Sequence, residues 1–257
     1  MNHPTSATGG PAPAPAPQPS TATWAPLYRL FLGWLSGRGR LVGLGALGLV
    51  AVVVGLAVGG QPRADRLEIW VTFANAFGLS LLAPVVALLV ASASLGNPSE
   101  DGTLVYLWLR PVERWQPASA AYLASLTVAL PVVAVPLALG AVAARAGPAA
   151  IWGTIASAVV AVVAYCGLFT WLGLRVRRAL PWGLAYILIW EGFVAAAGAG
   201  ASRLALRAYT RSILSDITGQ DLRLADMTMP FAVLVPCVVG LLMVWLTGRR
   251  LGRTDVA

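Results

Sequence analysis

The chain contains no lysine, so arginine supplies all 18 of its basic side chains. A Walker A loop needs its lysine to reach the nucleotide phosphates, and Schiff-base or serine–lysine chemistry needs an amine. The chain therefore cannot bind ATP through such a loop or use an amine as a nucleophile. If ATP hydrolysis is linked to its function, that hydrolysis must take place on another polypeptide.

Histidine and cysteine are scarce. The one histidine, His3, lies near the N-terminus in an Ala/Pro-rich segment, and Cys166 and Cys237 both fall inside apolar runs. A cysteine in such a run behaves as a small hydrophobic side chain, whereas zinc, haem and triad chemistry need histidine or clustered ligands. We expect no metal site, no bound cofactor and no catalytic residue, so an intramembrane protease or acyltransferase is disfavoured.

Charged residues are also few. They make up 11% of the chain and hydrophobic residues 58%, whereas a soluble domain has about 25% charged and about 45–50% apolar residues. The net charge of +8 does not indicate nucleic-acid binding, because the arginines occur in short clusters between apolar runs. The composition predicts an integral membrane protein whose main partner is the lipid bilayer.

Six apolar runs are long enough to cross about 30 Å of hydrocarbon as helices. They lie at 41–60, 69–95, 118–143, 149–173, 180–200 and 230–247. Barrel strands would alternate with a period of two, whereas these runs are continuously apolar. The predicted fold is an all-α membrane protein of about six transmembrane helices within residues 24–257.

The arginines predict the orientation. An even number of spans puts both termini on one side, and a cytoplasmic location for them gives that face more arginines than the outer face. We therefore predict a multi-pass protein of the inner (plasma) membrane with both termini cytoplasmic.

The residues before the first span divide into two parts. Residues 1–23 are rich in alanine and proline, which alternate at 11–17, and this composition predicts a disordered tail. Residues 24–40 mix tryptophan, leucine and phenylalanine with spaced arginines, which favours an interfacial helix. The alternative is an N-terminal extension of the first span.

The segment 201–229, before the last span, is predicted to be an extracytoplasmic helical loop. Arg203, Arg207 and Arg211 follow at four-residue spacing, which places them on one face of a helix. A surface helix at the outer membrane boundary is the simpler interpretation, and a gate for substrate is the sharper one.

Small residues at four-residue spacing predict close helix contacts. Gly55 and Gly59 lie in the first span, and Gly192, Ala196 and Gly200 lie in the fifth. Such faces could pack within one chain or between subunits, and the sequence does not decide which.

The segment between the second and third spans is too apolar for a simple linker. Ser99 or Asp101 can cap a short helix, which the Arg110–Pro111 step then ends. Without further information, an interfacial helix with a solvated charged face and a partner-binding helix are equally good interpretations.

This segment resembles the type-2 ABC transporter permease family, in which an acidic residue, Gly-Thr-Leu, a short helix and Arg-Pro-Val-x-Arg follow the second span. The matching residues are Glu100, Asp101, Gly102, Thr103, Leu104, Arg110, Pro111, Val112 and Arg114. The stretch AYILIWEGF at 185–193 and the basic closing stretch from Arg249 are also similar to the family.

The resemblance implies a cytoplasmic coupling helix that docks in a groove of a separate cytosolic ABC ATPase. The chain would then be the permease subunit of an exporter, would form a homodimer or a heterodimer of permeases, and would leave ATP to the partner. The family has no counterpart of the Ala/Pro tail.

Glu191 lies near the middle of the fifth predicted span, where a carboxylate is costly and is a functional candidate by default. It could take part in translocation or proton relay, or it could fix helix packing. A proton- or ion-coupled secondary transporter is the alternative function, but it predicts several intramembrane charges and an internal repeat, which the sequence lacks. The substrate does not follow from these residues.

Overall fold

The computed structural model describes residues 24–100, 113, 115–194, 199–223 and 225–253, and nearly all of them are helical. The α-helices are α1 (Trp24–Leu35), α2 (Arg38–Gly59), α3 (Arg66–Phe73), α4 (Ala83–Glu100), α5 (Trp115–Ala143), α6 (Pro148–Arg175), α7 (Ala179–Ala185), α8 (Ala199–Ser202), α9 (Leu206–Thr218) and α10 (Met229–Arg253). Two π-helices, π1 (Ala74–Leu82) and π2 (Tyr186–Val194), continue α3 and α7. These residues include no strand, as expected of an all-α protein.

Five helical stretches are long and apolar enough to cross a bilayer. They are Arg38–Gly59, Arg66–Gly96, Trp115–Ala143, Pro148–Arg175 and Met229–Gly252, and the shortest has 22 residues. Since about 20 apolar residues span the hydrocarbon, each of the five suffices. They coincide with five of the six predicted runs, and the protein is a multi-pass membrane protein by this criterion.

The predicted span 180–200 has a different form. Up to Val194 it consists of α7, with 7 residues, and π2, with 9, and its last two residues begin α8. This stretch is shorter than the length that a membrane-spanning helix needs, and residues 195–198 lie outside the described chain. Five helices thus have the length and composition of membrane spans, and the sixth span stays a prediction.

Two of the spans form the centre of the bundle. In Arg66–Gly96 and in α6, 61% of the most apolar part of the helix is buried within the chain, whereas in the last span only 17% is buried. α6 packs against α4, α5, α9 and α10. The elements that contact α6 therefore share one core, and the outer helices present apolar side chains outward, as a protein in lipid requires.

Glycine allows α2 and α5 to approach closely. A Cβ atom on Gly55 would collide with the backbone of Gly140, and one on Gly59 would collide with the carbonyl oxygen of Ala143. Small residues permit such backbone contact between membrane helices. The predicted face at Gly55 and Gly59 is thus a contact within one chain.

The second predicted glycine face has no such neighbour among the described residues. A Cβ atom on Gly192 would meet only Ile187 of its own helix, at 3.6 Å, and one on Gly200 would meet no described atom within 4 Å. Ala196 lies outside the described residues.

The N-terminal helix α1 is separate from the first span, because Gly37 adopts an extended conformation with ψ 129° before α2 begins. Leu27, Phe31 and Leu35 repeat every four residues and are buried. The Trp24 indole donates a hydrogen bond to the Ser119 hydroxyl at 3.1 Å. α1 is therefore docked on α5 and is not an extension of α2.

A proline accounts for the π-helix in the second span. Pro84 has no N–H, so it cannot continue the α-helical ladder, and the Ala83 N–H bonds the Gly78 carbonyl five residues back. The Ser80 hydroxyl donates to the Asn75 carbonyl at 2.7 Å, also five residues back. The wider turn places Asn75 on the side that meets α9.

One end of the bundle collects the start of α2, the end of α4, the start of α5 and the ends of α6 and α10. A Cβ atom on Gly96 would lie 3.3 Å from the carbonyl oxygen of Gly173, and one on Gly248 would lie 3.4 Å from Trp115. We call this the arginine-rich end, because Arg38, Arg40, Arg175, Arg249 and Arg250 lie on these helix termini. The opposite end is where Gly59 meets Ala143.

Candidate functional site

The segment that resembles the permease motif connects α4 to α5 at the arginine-rich end. Glu100 is the last residue of α4, and α5 begins at Trp115. The remaining predicted coupling residues, Asp101, Gly102, Thr103, Leu104, Arg110, Pro111 and Arg114, lie outside the described residues. The predicted short helix between them therefore stays a prediction.

The connection ends in a fixed geometry. The Trp115 indole donates a hydrogen bond to the Glu113 carboxylate, and the Gln116 N–H donates to the Glu113 carbonyl at 2.9 Å. A carboxylate at a helix N-terminus is also favoured by the helix dipole. The chain therefore passes from the motif into α5 through an anchored first turn.

Glu191 is the best-defined polar site in the described chain. It lies in π2 and is 2% exposed. Its Oε1 accepts hydrogen bonds from the Tyr186 hydroxyl at 2.9 Å and from the Leu206 N–H at 3.0 Å, while Oε2 accepts one from the Arg207 N–H at 3.1 Å. The carboxylate thus joins π2 to the first turn of α9.

These bonds supply a cap that the local sequence lacks. α9 begins at Leu206, and the residue before it, Ala205, has no side-chain acceptor. The first N–H groups of a helix need acceptors, which a serine, threonine, aspartate or asparagine usually provides. Glu191 takes that role from 15 residues earlier in the chain, and its negative charge also suits the helix N-terminus. This geometry favours the packing interpretation of Glu191.

Aromatic rings join the same site to α6. The Tyr165 and Phe169 rings stack with centroids 5.9 Å apart, and the Tyr186 ring meets Phe169 edge-on at 6.2 Å. Tyr186 is therefore held both by this packing and by its bond to Glu191. The Tyr165 hydroxyl is fully buried and has no hydrogen-bond partner within the described part of the chain.

A second polar contact lies further along α9. Arg211 is 8% exposed, and its Nε donates to Asn75 Oδ1 at 3.1 Å while Nη1 donates to the Arg223 carbonyl at 2.5 Å. Burial, followed by the like charge of Arg207, lowers the pKa of Arg211 to about 10, which leaves it charged at neutral pH. Arg211 ties α9 to π1 and to the loop before α10.

The predicted arginine row of this segment is wrong in its geometry. Arg203 lies in the turn between α8 and α9, so only Arg207 and Arg211 belong to α9. The sequence spacing assumed one continuous helix, but the chain turns at Arg203 and adopts an extended conformation at Ala205. The buried face of α9 packs on α6 and α10, and it includes Arg211 as well as apolar side chains.

Glu191 and the coupling segment were both singled out from the sequence as candidate sites. The sequence did not indicate the contacts that Asn75, Tyr165, Tyr186 and Arg211 make around π2 and α9. The signal that could have indicated the Glu191 contact is Ala205, a residue without capping ability before an amphipathic helix. Within the described ranges, no three histidine, cysteine or acidic side chains group together in a way that could hold a metal ion.

Comparison with known proteins gives no assignment: no protein-family model, curated protein or solved structure matches the chain.

Proposed function

We propose that this chain is the membrane permease subunit of an ABC exporter and works with a separate cytosolic ATP-binding subunit. One observation supports the proposal: α4 ends at Glu100 and α5 begins at Trp115 at the arginine-rich end, so the motif segment joins two spans at that end of the bundle. A short helix at that position would project beyond the membrane surface, where a soluble partner could reach it.

The packing around α4 explains how such a contact could move the spans. A Cβ atom on Gly173 of α6 would collide with the backbone of Ser92 in α4, so the two helices touch along their backbones. Closely packed helices cannot absorb a displacement locally and transmit it to their neighbours. A push on the α4–α5 connection would therefore reach α6, which lies in the core of the bundle.

The orientation rests on the distribution of arginine. Arginines favour the cytoplasmic face, which makes the arginine-rich end the cytoplasmic one and puts the Glu191–α9 contact in the outer part of the bundle. In this proposal the subunit pairs with a second permease, ATP binds only to the partner, and the substrate moves outward.

Co-purification tests the proposal. The chain is expressed together with the ATP-binding subunit encoded beside it, as wild type and as the double variant Glu100→Ala/Asp101→Ala. The control is Asp65→Ala/Glu68→Ala, since both residues are exposed acids at the opposite end of the bundle. We expect the ATP-binding subunit to co-purify with the wild type and the control and to be lost from the motif variant.

Two outcomes contradict the proposal. The first is a folded chain that retains no ATP-binding subunit. The second is a complex that the motif substitutions weaken no more than the control substitutions. Circular dichroism of each purified variant separates loss of binding from loss of folding.

A further inference from the structure

A groove of about 670 Å³ opens at the arginine-rich end between α2, α4 and α7. Its lining is formed by Gly39, Arg40, Gly43, Leu44, Leu47, Leu89, Ser92, Ala93, Gly96, Ala179 and Leu180. Pockets of this volume are of the size that binds small molecules. The groove shares no residue with the Glu191 site or with the Glu100–Arg114 motif.

The walls of the groove are apolar. Leucines from all three helices form them, and glycine and alanine keep the surface smooth. The Ser92 hydroxyl lines the groove but donates to the Leu88 carbonyl of its own helix at 2.5 Å, so its proton is already used. Such a surface suits a hydrocarbon chain.

Arg40 differs from the rest of the lining. Within the described ranges it is the one charged side chain of the groove, it is half-buried, and no described residue forms a hydrogen bond or an ion pair with it. A partly buried guanidinium is costly without an anion beside it. The groove therefore combines apolar walls with a positive charge near the start of α2 that has no counter-charge among the side chains that the structure describes.

We propose that this groove binds an anionic phospholipid of the surrounding leaflet, with an acyl chain along the leucine walls and the phosphate on Arg40. The location favours a lipid, because Arg40 is the third residue of the apolar helix Arg38–Gly59, and the ends of a membrane span lie next to the headgroups. Basic pockets between membrane helices bind anionic headgroups. The proposal does not depend on the ATPase partner.

Two glycines of α2 provide a matched pair for the test. Gly43 lines the groove and Gly45 does not, yet an added Cβ atom would meet nothing within 4 Å at either position. Gly43→Leu therefore places a side chain in the groove with no clash at its Cβ atom, and Gly45→Leu adds the same side chain outside the groove. Arg40→Gln removes the charge, Arg40→Lys retains it, and Arg63→Gln removes an exposed arginine at the opposite end.

The experiment measures thermal unfolding of the delipidated full chain in detergent, with added phosphatidylglycerol or phosphatidylcholine. We expect phosphatidylglycerol to stabilise the wild type, Gly45→Leu and Arg63→Gln at lower concentration than phosphatidylcholine does. Arg40→Gln should reduce this preference about fivefold, the factor for one basic residue at an anionic surface, and Arg40→Lys should largely retain it. Gly43→Leu should remove lipid stabilisation.

Three results would overturn the proposal. Equal stabilisation by both lipids rules out an anion site, and an unchanged preference in Arg40→Gln rules out this arginine as the anion-binding group. A Gly43→Leu protein that still responds like Gly45→Leu places the lipid elsewhere. Circular dichroism verifies folding, and because Arg40 is tested apart from Gly43, a folding defect in one variant leaves the other test intact.

Discussion

Replacing Glu191 should detach α9 from π2. In Glu191→Ala the Leu206 and Arg207 N–H groups and the Tyr186 hydroxyl all lose their acceptor. In Glu191→Gln a carbonyl oxygen at the Oε1 position can still accept from Tyr186 and Leu206, so only the bond from the Arg207 N–H is lost. We therefore expect Glu191→Ala to destabilise the protein more than Glu191→Gln.

The magnitude follows from the contacts. A hydrogen bond to a charged group contributes about 1.5–3 kcal/mol, and loss of a helix cap costs about 0.5–2 kcal/mol. These contributions overlap, because two of the three bonds are the cap. We estimate a loss of about 3 kcal/mol for Glu191→Ala from the lost charged cap and about 1–2 kcal/mol for Glu191→Gln from the one lost bond.

Two measurements check this prediction. Unfolding by sodium dodecyl sulfate in bicelles, followed by circular dichroism, gives the change in the free energy of unfolding. Hydrogen exchange locates the change, since the Leu206 and Arg207 amides should both exchange faster in Glu191→Ala, whereas only the Arg207 amide should do so in Glu191→Gln. Glu68→Ala is the control because Glu68 is an exposed acid, and a surface substitution of this kind changes stability by about 0.5 kcal/mol or less.

The reasoning is refuted if Glu191→Ala unfolds like the wild type and its α9 amides exchange at the wild-type rate. Wild-type stability combined with loss of transport would instead assign Glu191 to translocation.

Three further substitutions test the packing. Gly55→Ala should lower the free energy of unfolding by about 1–3 kcal/mol in the same assay, because the added Cβ atom overlaps the backbone of Gly140. Gly45→Ala should leave it unchanged, since its Cβ atom would meet nothing within 4 Å. Equal effects of the two substitutions would contradict the close contact at Gly55. Tyr186→Phe should lower stability by about 1 kcal/mol, because the bond from Tyr186 to the buried carboxylate is lost. Tyr165→Phe removes a hydroxyl without a partner among the described residues and should leave stability unchanged or raise it. A larger loss for Tyr165→Phe than for Tyr186→Phe would show that the Tyr165 hydroxyl has a partner. Arg211→Met should lower stability by about 1–3 kcal/mol and speed amide exchange in the loop 219–228, because the hydrogen bonds of Arg211 to Asn75 and to the Arg223 carbonyl are lost. Unaltered exchange in this loop would contradict that link.

Much of the fold could be predicted from local sequence. The run predicted at 149–173 is observed as the helix Pro148–Arg175, and the other four long apolar helices agree with their predicted runs to within a few residues. Run length and apolar composition determine which segments enter a bilayer, and both are properties of contiguous residues. The contact at Gly55 and Gly59 was predicted for the same reason, although its partner helix was not.

The polar site was harder to predict because its partners are distant in sequence. Glu191 was singled out as an intramembrane acid, but its acceptor role depends on the Leu206 and Arg207 N–H groups, which lie 15 and 16 positions further along the chain. Arg211 meets Asn75 across 136 positions of the chain. The arginine spacing from Arg203 suggested one helix, whereas the turn before Ala205 breaks it, so periodicity alone was misleading there.

The central claim is that the Glu100–Arg114 segment contacts an ATP-binding subunit at the arginine-rich end. Photo-crosslinking tests it most directly, with a photoreactive residue introduced either at Leu104, in the motif, or at Leu67, near the opposite end, in chains co-expressed with the neighbouring ATP-binding subunit. We predict an adduct with the mass of the chain plus that subunit from position 104 and none from position 67. An assembled complex that gives no adduct at position 104, or equal adducts at both positions, would contradict the claim.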